Sequence, residues 1–314
     1  MKGGGRTTAL VKSKGFAKFK RILPLYIMLS PALVFLFVFS YYPMYGAQIA
    51  FRNFRISRGI TGSPWVGLKH FRTFFSTANF TRTLSNTLAL SVYSLIAMTT
   101  FVVVLSLLIH CVTNERYKKI VQTVVYLPHF ISTVVMVGII MRLLNPTLGV
   151  LSKLIQALGG TSRDLMGVAG AFRHIFVLSD IWQNAGWGTV IYLAALSASD
   201  MENHEAAMLD GASRFQRLIH IDIPVLLPTI VIMLILNVGK LMNVAHDKVL
   251  VMQNNLNLQR SEIISTYVYK IGIATSMPDY SLSTAIGLFN SVITLILVIV
   301  VNRIAKKLTE TSLW

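Results

Sequence analysis

The chain has 314 residues, of which 54% are hydrophobic and 13% are charged, and its formal net charge is +17. Soluble domains usually carry about 25% charged residues, so this composition excludes an ordinary soluble fold. It indicates a polytopic membrane protein whose basic segments face anionic lipid, with no nucleic-acid partner. Its single cysteine, Cys111, excludes an internal disulfide.

Residues 1–21 form a basic arm that contains seven Lys and Arg residues. Six later segments have the roughly 20 mostly apolar residues that a membrane-spanning helix needs. Prolines within them, such as Pro128, are tolerable as kinks in a bundle. We therefore expect an all-α membrane protein with six transmembrane helices. The expected spans are about Ile22–Tyr42, Leu84–His110, Ile120–Arg142, Phe172–Leu196, Val225–Ala245 and Leu282–Val301.

The distribution of positive charge predicts the orientation in the membrane. An even number of spans places both termini on one side, and the charge excess near the first span places that side in the cytoplasm. The second outer loop shows turn signals and a possible short helix around Val150–Leu158. The expected organisation is a cytoplasmic arm at 1–21, a first span and outer loop at 22–83, a core of five helices at 84–303, and a cytoplasmic tail at 304–314.

A polar stretch at residues 205–224 separates the fourth and fifth segments. It starts with good helix formers, is interrupted at Gly211, and resumes from Ser213 to Ile221. Pro224 then opens the next apolar segment, where its missing N–H costs little. The pattern predicts a helix, a glycine bend and a second helix on the cytoplasmic side. From these residues alone, an ordinary amphipathic loop is an equal alternative.

The spacing in this stretch resembles the EAA motif of ABC-importer permeases of the MetI-like, binding-protein-dependent family. In that family E-A-A, three residues, G, nine residues and then I-x-L-P mark a helix that docks on a separate ATPase. Residues 205–207, Gly211, Ile221 and Pro224 match in register, and Ile223 replaces the usual leucine. Residues 65–71 are likewise similar to the W-x-G-L-x-x-F pattern of these permeases.

The resemblance implies that eight residues couple the permease to its ATPase. Glu205 would anchor the helix on the partner, Gly211 would permit a close backbone approach, and Asp210 would cap the second helix. Compensation of the helix dipole by Glu205 and simple helix termination at Gly211 are the alternatives. The implied set is Glu205, Ala206, Ala207, Met208, Asp210, Gly211, Ile221 and Pro224.

Three further stretches, 22–32, 180–187 and 280–314, resemble permeases for oligosaccharides and polysaccharides. Residues 243–247 depart from the family pattern, because they lack its glycine and its aromatic residue. The resemblance implies a second homologous permease, two cytoplasmic ATPase subunits and an extracellular sugar-binding protein. ATP would be bound by the ATPase subunits, so no cofactor is expected on this chain.

Saccharide sites combine aromatic faces with hydrogen-bonding side chains. Structural roles are the alternatives, because tryptophans populate membrane interfaces, asparagines join helices and lysines near span ends reach toward water. The candidates for the substrate path are Trp182, Asn184, Trp187, Asn237, Lys240 and Asn290.

The sequence contains no phosphate-binding loop, zinc-binding H-E-x-x-H helix or G-x-S-x-G nucleophile elbow. Its seven histidines are scattered, and none lies at ligand spacing from another histidine or a cysteine, so no metal site is expected. The chain is therefore expected not to be an enzyme. A polytopic membrane enzyme or receptor, or an ABC permease for a non-sugar solute, remains the alternative.

Overall fold

The computed structural model describes residues 6–161, 163–199, 201–243 and 245–309. Within these ranges the chain forms helices and no strand, apart from an isolated bridge between Arg52 and Trp65. The expected all-α architecture is confirmed. The chain divides into two compact units, Met1–Lys69 and His70–Trp314.

The first unit is dominated by helix α1, Arg6–Leu36, which includes the basic arm from Arg6 onward. Residues 1–5 of the arm lie outside the described part. A π-helical turn, a short helix α2 (Tyr42–Met44) and a 3-10 helix (Tyr45–Phe51) continue α1, so the apolar rod extends from Arg21 to Phe51. This rod exceeds the predicted first span and exposes its large apolar side chains, as a lipid-facing helix does.

The loop after this rod is ordered around Trp65. Its indole stacks on Phe51 at 5.4 Å between ring centroids, and the guanidinium of Arg52 lies over the indole at 5.5 Å. A 3-10 turn and helix α3 (Gly59–Gly62) follow the Arg52 bridge. The aromatic residue of the W-x-G-L pattern therefore holds this loop together.

The second unit contains the long helices of the bundle and several short ones. Its helices are α4 (Lys69–Ser76, beginning at the unit boundary), α5 (Ala78–His110), α6 (Glu115–Tyr126), α7 (Thr133–Leu143), α8 (Val150–Ala157), α9 (Ala169–Ser197), α10 (Met201–Leu209), α11 (Arg214–Arg217), α12 (Ile223–Val238), α13 (His246–Met252), α14 (Leu258–Ser261), α15 (Ile264–Gly272) and α16 (Tyr280–Thr309). Helix α8 confirms the short helix expected in the second outer loop.

Four helical stretches of the described residues are long and apolar enough to cross a membrane. They are Arg21–Phe51, Ala78–His110, Arg214–Val238 and Tyr280–Lys307. The predicted fourth span corresponds to α9, whose 29 residues include Asp180, Gln183 and Asn184 near the middle. These polar side chains make α9 too hydrophilic to be recognised by composition, so the count of six spans stays a prediction.

The prediction that the third span is a single kinked helix was wrong. Helix α6 ends in a 3-10 turn at Leu127–Phe130, and α7 leaves this break at an angle of 99°. Pro128 lacks a backbone N–H and so removes one helical hydrogen bond, while Ser132 caps the new helix by accepting from Val135 N. The chain therefore forms two helices here, which together make up at most one span.

Two further boundaries also differ from prediction. The fifth span begins at Arg214 within one continuous helical rod and ends at Val238, seven residues before the predicted end at Ala245. The predicted third outer loop, 246–280, folds into α13, α14 and α15. Its polar side chains fill hydrogen-bonding positions that composition alone does not reveal. Asn257, for example, is fully buried and donates to the carbonyls of Met166 and Met252.

A buried carboxylate ties this helical loop to the N-terminal end of α5. Glu262 is 4% exposed and pairs with Arg82 of α5 and with Lys270, whose Nζ lies 3.1 Å away. Asn86, also on α5, donates to the carbonyls of Gln259 and Glu262 at 3.0 Å. The loop is therefore a rigid cap over α5, and it places α13 against the centre of the bundle.

Helix α9 is the central element of the second unit, and it packs along α5, α6, α12 and α14. Phe172 and Phe176 at one end join a core with Leu90 of α5, and Leu196 at the other end joins a core with Leu226 of α12. Gly186 lies where the backbones of α9 and α6 come closest, because a Cβ there would overlap the carbonyl of Val125. Small residues permit such close helix approach in membranes.

We expect Gly186→Ala to destabilise the protein by about 1–3 kcal/mol, because the added methyl group must push α6 away from α9. The measurement is the thermal unfolding midpoint of the detergent-solubilised protein. Gly170→Ala is the matched control, since it lies in the same helix with open space around its Cβ position. Equal midpoints for the two variants would contradict the close contact.

Candidate functional site

The predicted coupling stretch forms a helix, a glycine turn and a second helix, as expected. Gly211 has φ +80°, its N–H bonds to Met208 O, and the N–H of Ala212 bonds to Ala207 O. This pair of bonds is the Schellman arrangement that ends helices at a left-handed residue. Open space surrounds the Cβ position of Gly211 within this chain. The turn conformation alone therefore accounts for the glycine here, and a close approach would have to come from a partner.

Asp210 does not cap the second helix, so this prediction was wrong. Ser213 is the N-cap: its hydroxyl accepts from Gln216 N, and the Gln216 side chain accepts from Ser213 N at 2.8 Å. Ser213 directly precedes the first helical residue, whereas Asp210 lies before the glycine turn, three residues ahead of the N-cap position.

The second helix runs into the membrane without interruption. After α11 the chain forms a π-helical turn, Leu218–Asp222, and the N–H of Ile223 bonds to Leu218 O. Pro224 follows at the start of α12. A proline ring clashes with the carbonyl four residues earlier, and the wider turn removes this clash. The second helix and α12 are therefore parts of one helical rod, Arg214–Val238.

Most of the predicted coupling residues are exposed. Glu205, Ala206, Met208, Asp210, Gly211 and Pro224 are exposed, whereas Ala207 and Ile221 are half-buried. The turn also displays two large apolar side chains that sequence reasoning missed: Leu209 is 90% exposed and Phe215 is 70% exposed. Their apolar character at the polar end of a span was the available signal.

A second candidate site is a cavity of about 360 Å³ among the middle parts of α5 and α9 and the end of α12. Of the six predicted substrate-path residues, Asn237 and Lys240 line it. The cavity also exposes Ser91, Ser94 and Asp180, which the sequence reasoning did not select. Its full lining is Ser91, Ser94, Leu95, Met98, Thr99, Phe176, Asp180, Asn237, Gly239, Lys240, Leu241 and Ala245.

The other four predicted path residues lie elsewhere. Asn184 donates to Asp180 and contacts His129 Nδ1 at 2.9 Å, and the His129 ring stacks on Trp187 at 4.9 Å. Both residues therefore brace the break between α6 and α7. Trp182 is 52% exposed, and buried Asn290 donates to Met242 O at 3.3 Å. Neither Trp182 nor Asn290 lines the cavity.

Asp180 joins the cavity to a buried lysine. Lys248 of α13 is 3% exposed, and its Nζ lies 3.4 Å from Asp180 Oδ1, 3.2 Å from Phe176 O and 4.8 Å from the centroid of the Phe176 ring. Burial lowers the pKa of Lys248, and the neighbouring Asp180 partly offsets this shift. Asp180 was detectable as the single carboxylate of the fourth predicted span, where charge is expensive. Lys248 could not be recognised from the sequence, because nothing there distinguishes it from other lysines in loops.

A helical membrane bundle with a polar cavity and an exposed apolar turn between two spans has the architecture of a transport permease. Residues 103–310 match the family described as binding-protein-dependent transport system inner membrane component. The match covers more than half of the chain, and the protein belongs to this family of transporter permeases, which are not enzymes.

Individual relatives agree with this assignment. The chain is 40% identical to protein LplB of Bacillus subtilis, covering 95% of this chain and 93% of LplB. It is 39% identical to the polygalacturonan/rhamnogalacturonan transport system permease YteP of the same organism, over 92% and 90% of the two chains. It is also similar to a chain of the bacterial alginate ABC transporter, solved with an alginate pentasaccharide-bound periplasmic protein. The TM-score is 0.87 at 33% identity, covering 95% of this chain and 99% of that chain.

We expect Asp180→Asn to destabilise the protein by about 3 kcal/mol, because it leaves the ammonium of Lys248 buried without a counter-charge. The double variant Asp180→Asn/Lys248→Met should regain most of this loss, which unfolding midpoints in a double-mutant cycle would measure. The control is Glu115→Gln, since Glu115 pairs with Lys118 at 3.8 Å but is 72% exposed, and its loss should cost less than about 1 kcal/mol. A double variant no more stable than Asp180→Asn would contradict the pairing.

Proposed function

We propose that the chain is the permease subunit of an ATP-driven importer of oligosaccharides. It pairs with a second, homologous permease, receives its substrate from an extracellular binding protein and is driven by two cytoplasmic ATPase subunits. The observation that carries this proposal is the exposed apolar turn at Leu209 and Phe215, inside the stretch that matches the EAA motif.

The exposed turn at Leu209 and Phe215 supports a partner subunit as the source of energy. The sequence has no phosphate-binding loop, so ATP would have to act through a partner. The large apolar side chains of Leu209 and Phe215 are exposed to water at the end of a span. Exposed apolar patches of this kind mark protein-docking surfaces. Because α11 continues into α12 as one rod, a displacement of the turn reaches Asn237 at the cavity. ATP-driven closure of the partner would thus reshape the cavity.

The substrate class rests on relatives and on the cavity. YteP is named for transport of polygalacturonan and rhamnogalacturonan, and the similar solved transporter carries an alginate pentasaccharide on its periplasmic protein. The cavity offers three hydroxyls, one amide, one carboxylate and one ammonium group among apolar walls. This mixture of hydrogen-bonding groups suits a saccharide. We assign Asn237 and Lys240 to this path.

The protein lies in the cell membrane with the coupling turn and both termini in the cytoplasm. Support comes from the basic residues concentrated before the first span and after α5. This orientation also places the rigid cap formed by α13, α14 and α15 on the outer face, where a binding protein would dock.

We expect Leu209→Glu to reduce retention of the ATPase by at least about tenfold, because a charge on the apolar turn must be desolvated on docking. The assay is co-purification of the tagged permease pair with its ATPase from membranes. Leu148→Glu is the matched control: Leu148 is 76% exposed in the second outer loop, and its substitution should leave retention unchanged.

The Gly211→Asn variant distinguishes the conformational requirement of the turn from its contact with the ATPase. Asparagine tolerates a positive φ, so the helix end should persist, while the new side chain fills the open space at the turn. Loss of the ATPase from this variant would locate a close partner backbone at Gly211. Full retention by both Leu209→Glu and Gly211→Asn would overturn docking at this turn.

The native cysteine tests the orientation. Cys111 is exposed at the end of α5 that the proposal places in the cytoplasm. We expect a membrane-impermeant maleimide to label it in inside-out vesicles and not in intact cells. The thiolate is the reactive form and burial raises the pKa of the Cys111 thiol, so labelling should accelerate as the pH rises. Leu148→Cys in a Cys111→Ser background should show the opposite sidedness, and labelling of Cys111 in intact cells would contradict the topology.

A further inference from the structure

Three side chains that are far apart in sequence meet beside the coupling turn. His110 is the last residue of α5, His204 lies on α10 directly before Glu205, and Asp222 ends the π-helical turn that leads into α12. His204 Nε2 lies 3.1 Å and His110 Nε2 lies 3.8 Å from the same oxygen, Asp222 Oδ1. One candidate ligand atom from each residue falls within 4.8 Å of the other two.

The cluster is shielded from water and its polar atoms are incompletely satisfied. The side chains of Asp222 and His204 are 5% and 14% exposed, and that of His110 is 28% exposed. Neither His204 Nε2 nor Asp222 Oδ1 forms a hydrogen bond within the described part of the chain, despite their 3.1 Å separation. Buried polar atoms without hydrogen bonds are costly. A close pair of acceptor-type atoms without a hydrogen bond between them suits two ligands that converge on one ion.

Protons alone satisfy this arrangement poorly. One protonated imidazole could pair with Asp222, but protonating both would place two positive charges within 4.8 Å of each other. A single divalent cation attracts the carboxylate and accepts the lone pairs of both neutral imidazoles at once. The sharing of one carboxylate oxygen by two histidines therefore favours a metal over two ion pairs.

We propose that His110, His204 and Asp222 form a binding site for a zinc-type divalent cation that fastens the coupling helix to α5 and α12. Two imidazoles and one carboxylate are ligands that Zn²⁺ prefers, and three protein ligands leave a fourth position for water. Bonds of about 2.0–2.2 Å to a tetrahedral ion place neighbouring ligand atoms about 3.3 Å apart. The two measured separations, 3.1 and 3.8 Å, bracket this value.

The site has a mechanical consequence. Between them, His204 and Asp222 bracket the coupling turn, so one ion clamps both ends of the turn to the end of α5. The turn then moves with α5 and α12 as one body. The geometry of the cluster does not rest on the ATPase-docking function, so a metal titration tests it separately.

The test uses the full-length protein in detergent with a histidine-free affinity tag, stripped by a chelator and titrated with Zn²⁺, or with Co²⁺ as a visible-absorption probe. We expect about one ion per chain in the wild type and an affinity loss of about 100-fold or more in His204→Ala and Asp222→Asn. His220→Ala is the matched control, since His220 is exposed on the same π-helical turn and should bind like the wild type.

A second readout covers variants that fold poorly. Zn²⁺ should raise the unfolding midpoint of the wild type and of His220→Ala, and should leave that of the nearly isosteric Asp222→Asn unchanged. Wild-type binding that is no tighter than that of His204→Ala, or a Zn²⁺ shift that persists in Asp222→Asn, would overturn the site. The cluster would then be a proton-linked ion pair.

Discussion

The polar edge of α9 is the feature on which the bundle depends. Asp180 and Asn184 sit in the middle of a span where charge is expensive, and each finds a partner on another element: Lys248 on α13, and His129 at the break after α6. Two residues after Asn184, Gly186 lets the α6 backbone approach. With no water available inside the membrane, these contacts fix which face of α9 turns inward, and the position of the cavity follows.

The broken third span and the rigid outer cap follow from the same constraint. Pro128 lies at the break after α6, where Gln183 donates to Ile131 O at 2.8 Å. Neighbouring side chains must satisfy the backbone groups that such a break frees within a membrane. Glu262 likewise holds the α13–α15 cap in place through its ion pairs. Polar side chains thus stabilise each departure from a simple bundle.

One helical rod connects the turn at Gly211 to the cavity. Gly211 stops α10, Ser213 starts the second helix, and the π-helical turn lets Pro224 enter α12 without breaking it. In our proposals, docking at Leu209 moves this rod, while an ion held by His204 and Asp222 ties it to α5. The two ideas concern opposite faces of the turn, so docking and clamping can operate together.

Composition and spacing determined the membrane class, the helical fold, the glycine turn and the permease family, because these depend on apolar length, local backbone preference and a fixed register. The Ser213 cap is also local, because Ser213 and Gln216 form a capping box. Only the tertiary structure decided that α7 leaves α6 at 99°, that Asn237 and Lys240 share a cavity with Asp180, and that two scattered histidines meet at Asp222. Those outcomes depend on which faces of distant helices pack together. No pattern within a single segment encodes such a contact, because it depends on the folded positions of both residues.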